Sequence, residues 1–333
     1  PLAGVPFTVK DGLDLAGHPT TYGIPTFADN VAPVDDPTIG RLRSAGAIPI
    51  AKTNQPEMAM RLATDNPLFG LTRNPWHPDR TASGSSGGDA SAIASGMTPM
   101  GVGSDLGGSV RNPAYACGIA ATKTSLGRLP VHGTSPRASE ALLGRQLMAV
   151  AGPMARSVAD LEAMLRVTVG RHPRDPRSVD VPHDGRNFIR RAAVPTDLPG
   201  EPIHPDAREA VRRAGEALAA AGWDVVDATP PEMERCYDVW GRLLGEDFPM
   251  TMEALSAVMS DDGAHLIRSS MAFWPAGEVA PQEVHIERHR LARQWALFLD
   301  DFPVLVLPTW YQPPFGHHDD LSDDLTVVRA LYD

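Results

Sequence analysis

The chain has 333 residues, 42% hydrophobic and 21% charged, with a formal charge of −11. That acidic balance excludes direct nucleic-acid binding, which needs a basic patch against phosphate, and it disfavours anionic membrane surfaces. The length suits one large α/β domain or two ordinary ones, and a protein of this size buries roughly three-quarters of its unfolded surface. No apolar run approaches the ~20 residues of a membrane span. The two cysteines, Cys117 and Cys236, speak against a disulfide framework and for a reducing, cytoplasmic compartment. Pro1 is not a natural start, so a targeting segment upstream is left open.

In chain order, Gly4–Lys10 (GVPFTVK) reads as a strand ending in an Asp11-Gly12 turn. Asp36–Ser44 reads as a helix with an acidic start and proline at its first position, and Ala47–Ala51 as a strand, so the three suggest a parallel βαβ unit. Residues 66–86, rich in Pro, Gly, Asn and Ser, form an ordered loop. Gly88–Met97 is a small-residue helix that packs closely on a sheet, and Pro99–Ser104 a buried strand. Ser157–Val169 is a helix with Ser157 as N-cap and Asp160 three residues on. Residues 171–200 are polar and proline-rich, a surface excursion. Asp206–Ala221 is an amphipathic helix stopped by Gly222, followed by a strand at Trp223–Ala228. Glu287–Leu299 reads as a helix and Pro303–Thr309 as a buried strand.

The block from Thr81 to Gly118 carries the chemistry. Ser85 stands in a GSSGG run and Ser109 in DLGGS, and upstream Lys10 ends an otherwise apolar strand. Glycines without Cβ let successive backbone N–H groups turn toward one point, so the amides of Leu106, Gly107, Gly108 and Ser109 form an oxyanion nest. A serine is a weak nucleophile near pH 7 and needs a base. Ser85 can relay the Ser109 proton and Lys10 can receive it, provided Lys10 is neutral. Burial among Pro6, Phe7, Thr8 and Val9 lowers its pKa from the usual ~10.4. A nucleophile, a relay and a base complete a hydrolytic set without histidine.

These residues resemble the amidase signature family, the Ser-cisSer-Lys amidases. The family pattern runs GGSSGGS, a small-residue helix, GTDTGGSIRxPA and CGxxGxKPT. This chain reads SGSSGGD, ASAIASGM, GVGSDLGGSVRNPA and CGIAATKTSLGR, with PLAGVPFTVKD intact at Pro1–Asp11 and AGPMARSVAD at Ala151–Asp160. The resemblance covers at least residues 1–165, and more weakly the helix at 206–221 and the strand at 303–309. It implies that Ser109 is the acyl-forming nucleophile, Ser85 the bridging serine on a cis peptide and Lys10 the base. It also implies that Ser86 hydrogen-bonds locally, that Asp105 and Arg111 form an ion pair behind the oxyanion loop, and that Met58, Ala59 and Met60 wall the substrate pocket. Ser83, Asp89 and Lys123-Thr124-Ser125 depart from the pattern without touching the triad.

The implied fold is α/β, one amidase-signature-like domain over residues 1–333 with a central mixed, largely parallel sheet flanked by helices. The signature core spans about 1–165 and a variable substrate-pocket region about 171–300. The family carries segments before the lysine motif and after residue 333, so the chain resembles an internal fragment truncated at both ends. The expected function is hydrolysis of a carboxamide through a serine acyl-enzyme, releasing a carboxylic acid and ammonia or an amine, with no cofactor and no metal. The partner is a small-molecule amide, with no nucleic acid and no membrane, and a homodimer is left open. One alternative is the glutaminase subunit of a tRNA-dependent amidotransferase, another a non-catalytic binding scaffold, for which Lys10, Ser85 and Ser109 would all be superfluous.

Other features read as structural. His285 and His289 stand four apart on a helix but lack the HExxH order. His317-His318-Asp319-Asp320 reads as a polar loop and Cys117 as a buried small residue. Gly101-x-Gly103 lacks the third glycine of a dinucleotide fingerprint.

Overall fold

The computed structural model describes residues 1–133, 141–183, 188–198 and 203–331. The domain expected over 1–333 comprises two compact units, one of Pro1–His183, Met252–Ile267 and Pro314–Asp323, the other of Asp184–Thr251, Arg268–Pro313 and Asp324–Asp333.

The first unit contains β1 (Pro6–Lys10), α1 (Pro37–Ser44), β2 (Ile48–Thr53), α2 (Gly87–Ala94), β3 (Met100–Asp105), α3 (Arg111–Cys117), β4 (Ala120–Ala121), α4 (Leu143–Met148), β5 (Val150–Ala155) and α5 (Val158–Thr168). Its sheet has the order β2-β1-β3-β5-β4. β1 pairs parallel with β2 and β3, and β5 pairs antiparallel with β3 and β4. The expected βαβ unit is therefore present. Asp36 caps α1 by accepting from Thr38 N at 2.9 Å, with Pro37 in the first turn. Ser157 caps α5 by accepting from Asp160 N.

Alternation along the strands gives this sheet two different faces. Phe7 and Val9 of β1 and Met100 and Val102 of β3 pack with Ile39 and Leu42 of α1 and Leu161 and Met164 of α5. Each such large apolar side chain, once buried, contributes about 1.5–3 kcal/mol. On the other face Ala90 and Ile93 of α2, Val110, and Ala114 and Cys117 of α3 pack around Met154 of β5. This second face also receives Thr8, which binds Asp89 of α2.

β5 was legible as a family motif but not as a strand, because Pro153 stands in its middle and proline is rare inside a sheet. The Pro153 carbonyl accepts from Thr122 N at 2.9 Å, on the β4 side. A residue in an antiparallel strand directs its N–H and C=O to the same neighbour. The donor that proline lacks thus faces the short strand β4, and the ladder to β3 is spared.

The second unit holds a parallel sheet of β6 (Arg191–Ala193), β7 (Asp224–Val226) and β8 (Val304–Leu305) in the order β7-β6-β8. It also holds α6 (Pro205–Ala220), most of α7 (Met233–Ser256), the end of α8 (Asp261–Phe273), α9 (Pro281–Asp301) and α10 (Leu325–Ala330). The reading of 171–200 as a surface excursion is corrected here, since β6 is the central strand and Ala192 and Ala193 are fully buried. Residues 184–187 and 199–200 of that stretch lie outside the described residues. β8 pairs over two residues only, shorter than expected, while α9 begins six residues earlier than predicted, at Pro281. α7 escaped the pattern because Gly241, Gly245 and Pro249 interrupt it. A Cβ at Gly241 would lie 2.0 Å from the Trp274 ring, so the glycines make room for an indole.

Candidate active site

Lys10 ends β1 fully buried, and its Nζ donates to Ser85 Oγ at 2.6 Å and to Ser104 Oγ at 3.0 Å. Ser85 follows a cis Gly84–Ser85 peptide bond and is itself buried. Gly84 has no room for a side chain, because a Cβ there would lie 2.6 Å from Arg61 O. Ser86 N donates to Ser109 O at 3.1 Å, which ties the serine loop to the turn between β3 and α3. The Ser86 hydroxyl meets Ser104 N and Ser104 O, each at 3.4 Å. Ser109 follows Gly108, whose φ of +117° is open only to glycine, and is half-buried.

Two further glycines set the depth of the site. A Cβ at Gly103 would lie 2.5 Å from Ser86 Oγ, and one at Gly101 would lie 2.4 Å from Thr8 Oγ1. The Gly-x-Gly of β3 therefore serves close packing of α2 and the serine loop on the sheet.

Burial pulls the Lys10 ammonium down from its usual value to about 7, with Asp89 and Asp105 opposing the shift and Arg145 adding to it. A neutral amine is thus accessible near neutral pH, which a lysine base requires. Burial alone would raise Asp105, but the Arg111 guanidinium and the amides of Gly108 and Val110 hold its carboxyl below the ordinary range. Arg111 grips Asp105 with two bonds, Nε to Oδ2 at 3.0 Å and Nη2 to Oδ1 at 2.9 Å. Gly108 N donates to Asp105 Oδ1 at 2.9 Å, so that amide is engaged within the loop. Among the described residues, the amides of Leu106, Gly107 and Ser109 have no such partner.

The family model for amidases matches residues 1–333. The chain belongs to the amidase family. It is 37% identical to an indoleacetamide hydrolase of Bradyrhizobium diazoefficiens over 99% of its own length and 64% of the relative's. It is 30% identical to a glutamyl-tRNA(Gln) amidotransferase subunit of Deinococcus radiodurans, over 100% of this chain and 74% of that one. Among solved structures, a 6-aminohexanoate cyclic dimer hydrolase bound to substrate superposes with a TM-score of 0.77 at 25% identity, covering 99% of this chain and 75% of that one. A bacterial aryl acylamidase of the amidase signature enzymes gives 0.76 at 26% identity, with 95% and 68% covered. The chain spans less than two-thirds of the indoleacetamide hydrolase.

In this amidase-family chain, Met58, Ala59 and Met60 form a half-buried turn beside the serine loop, since Arg61 O and Leu62, which follow them, are what a Gly84 side chain would strike. Met58 and Ala59 are left-handed, with φ of 50° and 61°. Such non-glycine conformations cost on the order of 1–3 kcal/mol each and need support. Met58 N donates to Tyr22 O at 2.9 Å, and Glu57, fully buried, accepts from Ser260 N at 2.9 Å and from the Ser260 hydroxyl.

The sequence reading missed Ser104, Thr8 and Arg61 as site-building residues. Ser104 carries no motif of its own beyond standing directly before Asp105. Asp320 belongs to the stretch read as a polar loop. It is fully buried, and Arg61 binds it through Nε at 3.1 Å and Nη2 at 3.0 Å. Cys117 is buried in the α3 packing, and burial pushes its thiol up to about 12. His285 and His289 both lie on α9, and His317 meets Pro78 O at 2.8 Å.

Proposed function

We propose that this chain carries the catalytic core of an amide hydrolase. The observation that supports this most directly is the buried Lys10 amine donating to Ser85 Oγ at 2.6 Å. Ser109 Oγ attacks the substrate carbonyl as its proton passes through Ser85 to neutral Lys10. The amides of Leu106, Gly107 and Ser109 face the oxyanion that forms, and donors of this kind are each worth roughly 3–4 kcal/mol to a transition state. The proton then returns through Ser85 to the nitrogen as the C–N bond breaks, leaving an ester on Ser109. A water molecule repeats the sequence and releases the acid.

The 37% identity to an indoleacetamide hydrolase favours an arylacetamide substrate that releases ammonia. The glutaminase-subunit reading stands behind it, with 30% identity to its representative. A non-catalytic scaffold would not need a lysine held at about 7 against a serine hydroxyl. Among the described residues no helix is long and apolar enough to cross a membrane. A cytoplasmic enzyme acting on a small amide is the form this reading takes, with a homodimer left open.

The test is labelling with a fluorophosphonate serine probe and location of the adduct by mass spectrometry. The adduct is expected on Ser109 and absent in Ser109→Ala. A folded protein with no adduct at Ser109 would reject the hydrolase. Turnover of indole-3-acetamide, but not glutamine, would separate the first reading from the second.

A further inference from the structure

Asp89 stands where the family pattern has serine, in the first turn of α2, and it is fully buried. Its Oδ1 accepts from Thr8 Oγ1 at 2.8 Å. Thr8 lies two residues before Lys10 on β1, so alternation puts both on the α2 face of the sheet. A Cβ at Gly101 would lie 2.8 Å from Asp89 Oδ1, so β3 has been cleared of side chain to admit the carboxylate. The other carboxylate oxygen, Asp89 Oδ2, is buried without a hydrogen-bond partner among the described residues. A carboxylate is costly to bury unless a charge answers it, and the one hydroxyl of Thr8 is not a charge.

We infer that Asp89 is a positioning residue for Lys10, its buried carboxylate supplying the counter-charge for the ammonium that Lys10 becomes when it takes the serine proton. This rests on the reading of Lys10 as the base. Among the described residues, the charged groups that act most on Lys10 are Asp89 from α2, Asp105 at the end of β3, Arg145 from α4 and Asp11 after β1. Asp89 is the strongest of those that favour the charged amine. Lys52 from β2 also acts on Asp89, after Lys10. Burial raises the Asp89 carboxyl to about 6, against the Thr8 hydroxyl and the Lys10 charge, so it still carries charge near pH 7, where Lys10 gives up its proton.

The sign follows. Without the Asp89 charge, Lys10 becomes a weaker base. It is neutral at lower pH, which moves the acid limb of the reaction down, and it accepts the proton less well, which lowers the plateau. A merely structural loss would lower the plateau and leave the limb in place.

The experiment measures the second-order rate of fluorophosphonate labelling against pH for the parent chain, Asp89→Asn, Asp89→Ser, Thr8→Val and Lys10→Ala, each checked for folding by circular dichroism. Asp89→Asn is expected to move the acid limb down by about half a unit or more and to lower the plateau about threefold or more. Asp89→Ser restores the residue of the family pattern and should do the same if Asn is not tolerated. Thr8→Val leaves the carboxylate but removes its hydrogen bond, and should move the limb the same way by less. An unmoved limb in the folded Asp89 variants, with Lys10→Ala silent, overturns this inference and leaves the base assignment standing. Labelling of Lys10→Ala at the parent rate across the range overturns the base assignment, and this inference with it.

Discussion

Ser104 Oγ accepts from Lys10 Nζ at 3.0 Å while Ser85 Oγ accepts from it at 2.6 Å, so one buried amine is held between two hydroxyls. The pair fixes the direction of the lysine as well as its proximity. Ser104→Ala removes only the anchor, and a net hydrogen bond of about 1 kcal/mol predicts a loss of about three- to tenfold in fluorophosphonate labelling. Ser85→Ala removes the relay and should reduce labelling to background. Equal losses in the two variants would show that Ser104 does more than orient the amine.

Lys10 also predicts a dependence of stability on pH. Its folded pKa is depressed from 10.5 to about 7, so between these values the unfolded chain binds a proton that the folded chain does not. Stability from this group therefore rises with pH across that window, by up to about 1.4 kcal/mol per unit, and is flat beyond either end. Lys10→Met lacks the group. Its stability relative to the parent should be greatest near pH 7 and shrink toward pH 9.5, a range that lies above the Asp89 value of about 6. Denaturant melts of both proteins at pH 7, 8 and 9.5 measure the difference, and a gap constant with pH would show that Lys10 is not depressed.

Much of this site was legible because the chemistry restricts residue types. Ser85 and Ser109 lie in glycine settings that no ordinary helix or strand would choose, and Lys10 ends an apolar strand. The alternation of Phe7 and Val9 against Thr8 and Lys10 is written in the sequence too. What stayed hidden depends on partners far along the chain. Asp320 sits among histidines and acids and gives no sign of burial until Arg61, 259 residues earlier, is brought to it. β6 spans three residues in a polar, proline-rich stretch and is a strand because β7 and β8 flank it. The Gly108 amide looked equivalent to its neighbours, and only the fold shows it bound to Asp105.

Gly103 offers a test of packing that is independent of charge. A Cβ there would sit 2.5 Å from Ser86 Oγ and 2.8 Å from Ser86 Cβ, a contact that requires the serine loop to move. Overpacking of this kind costs about 1–3 kcal/mol. The same shift would displace Ser85 from Lys10. Gly103→Ala should therefore lower the melting midpoint by several degrees and reduce Ser109 labelling about a hundredfold or more, since small misplacements at a reacting centre are costly. Loss of stability with full labelling would mean that the loop adjusts without disturbing the serines.

The Arg61–Asp320 pair is closed to water, with side-chain exposures of 2% and 0%, and Asp320 also accepts from Ala63 N at 3.2 Å. It holds the segment whose Arg61 carbonyl packs against Gly84, so its geometry reaches the cis bond before Ser85. Removing one partner of a buried pair strands the other charge. Arg61→Ala should therefore destabilise the protein by about 3–5 kcal/mol, whereas Arg61→Met with Asp320→Leu, which removes both charges, should cost less. Denaturant melts of the single and double variants measure the difference. If the double variant is as unstable as Arg61→Ala, the bond from Ala63 N is what Asp320 is there to accept, and the ion pair is secondary.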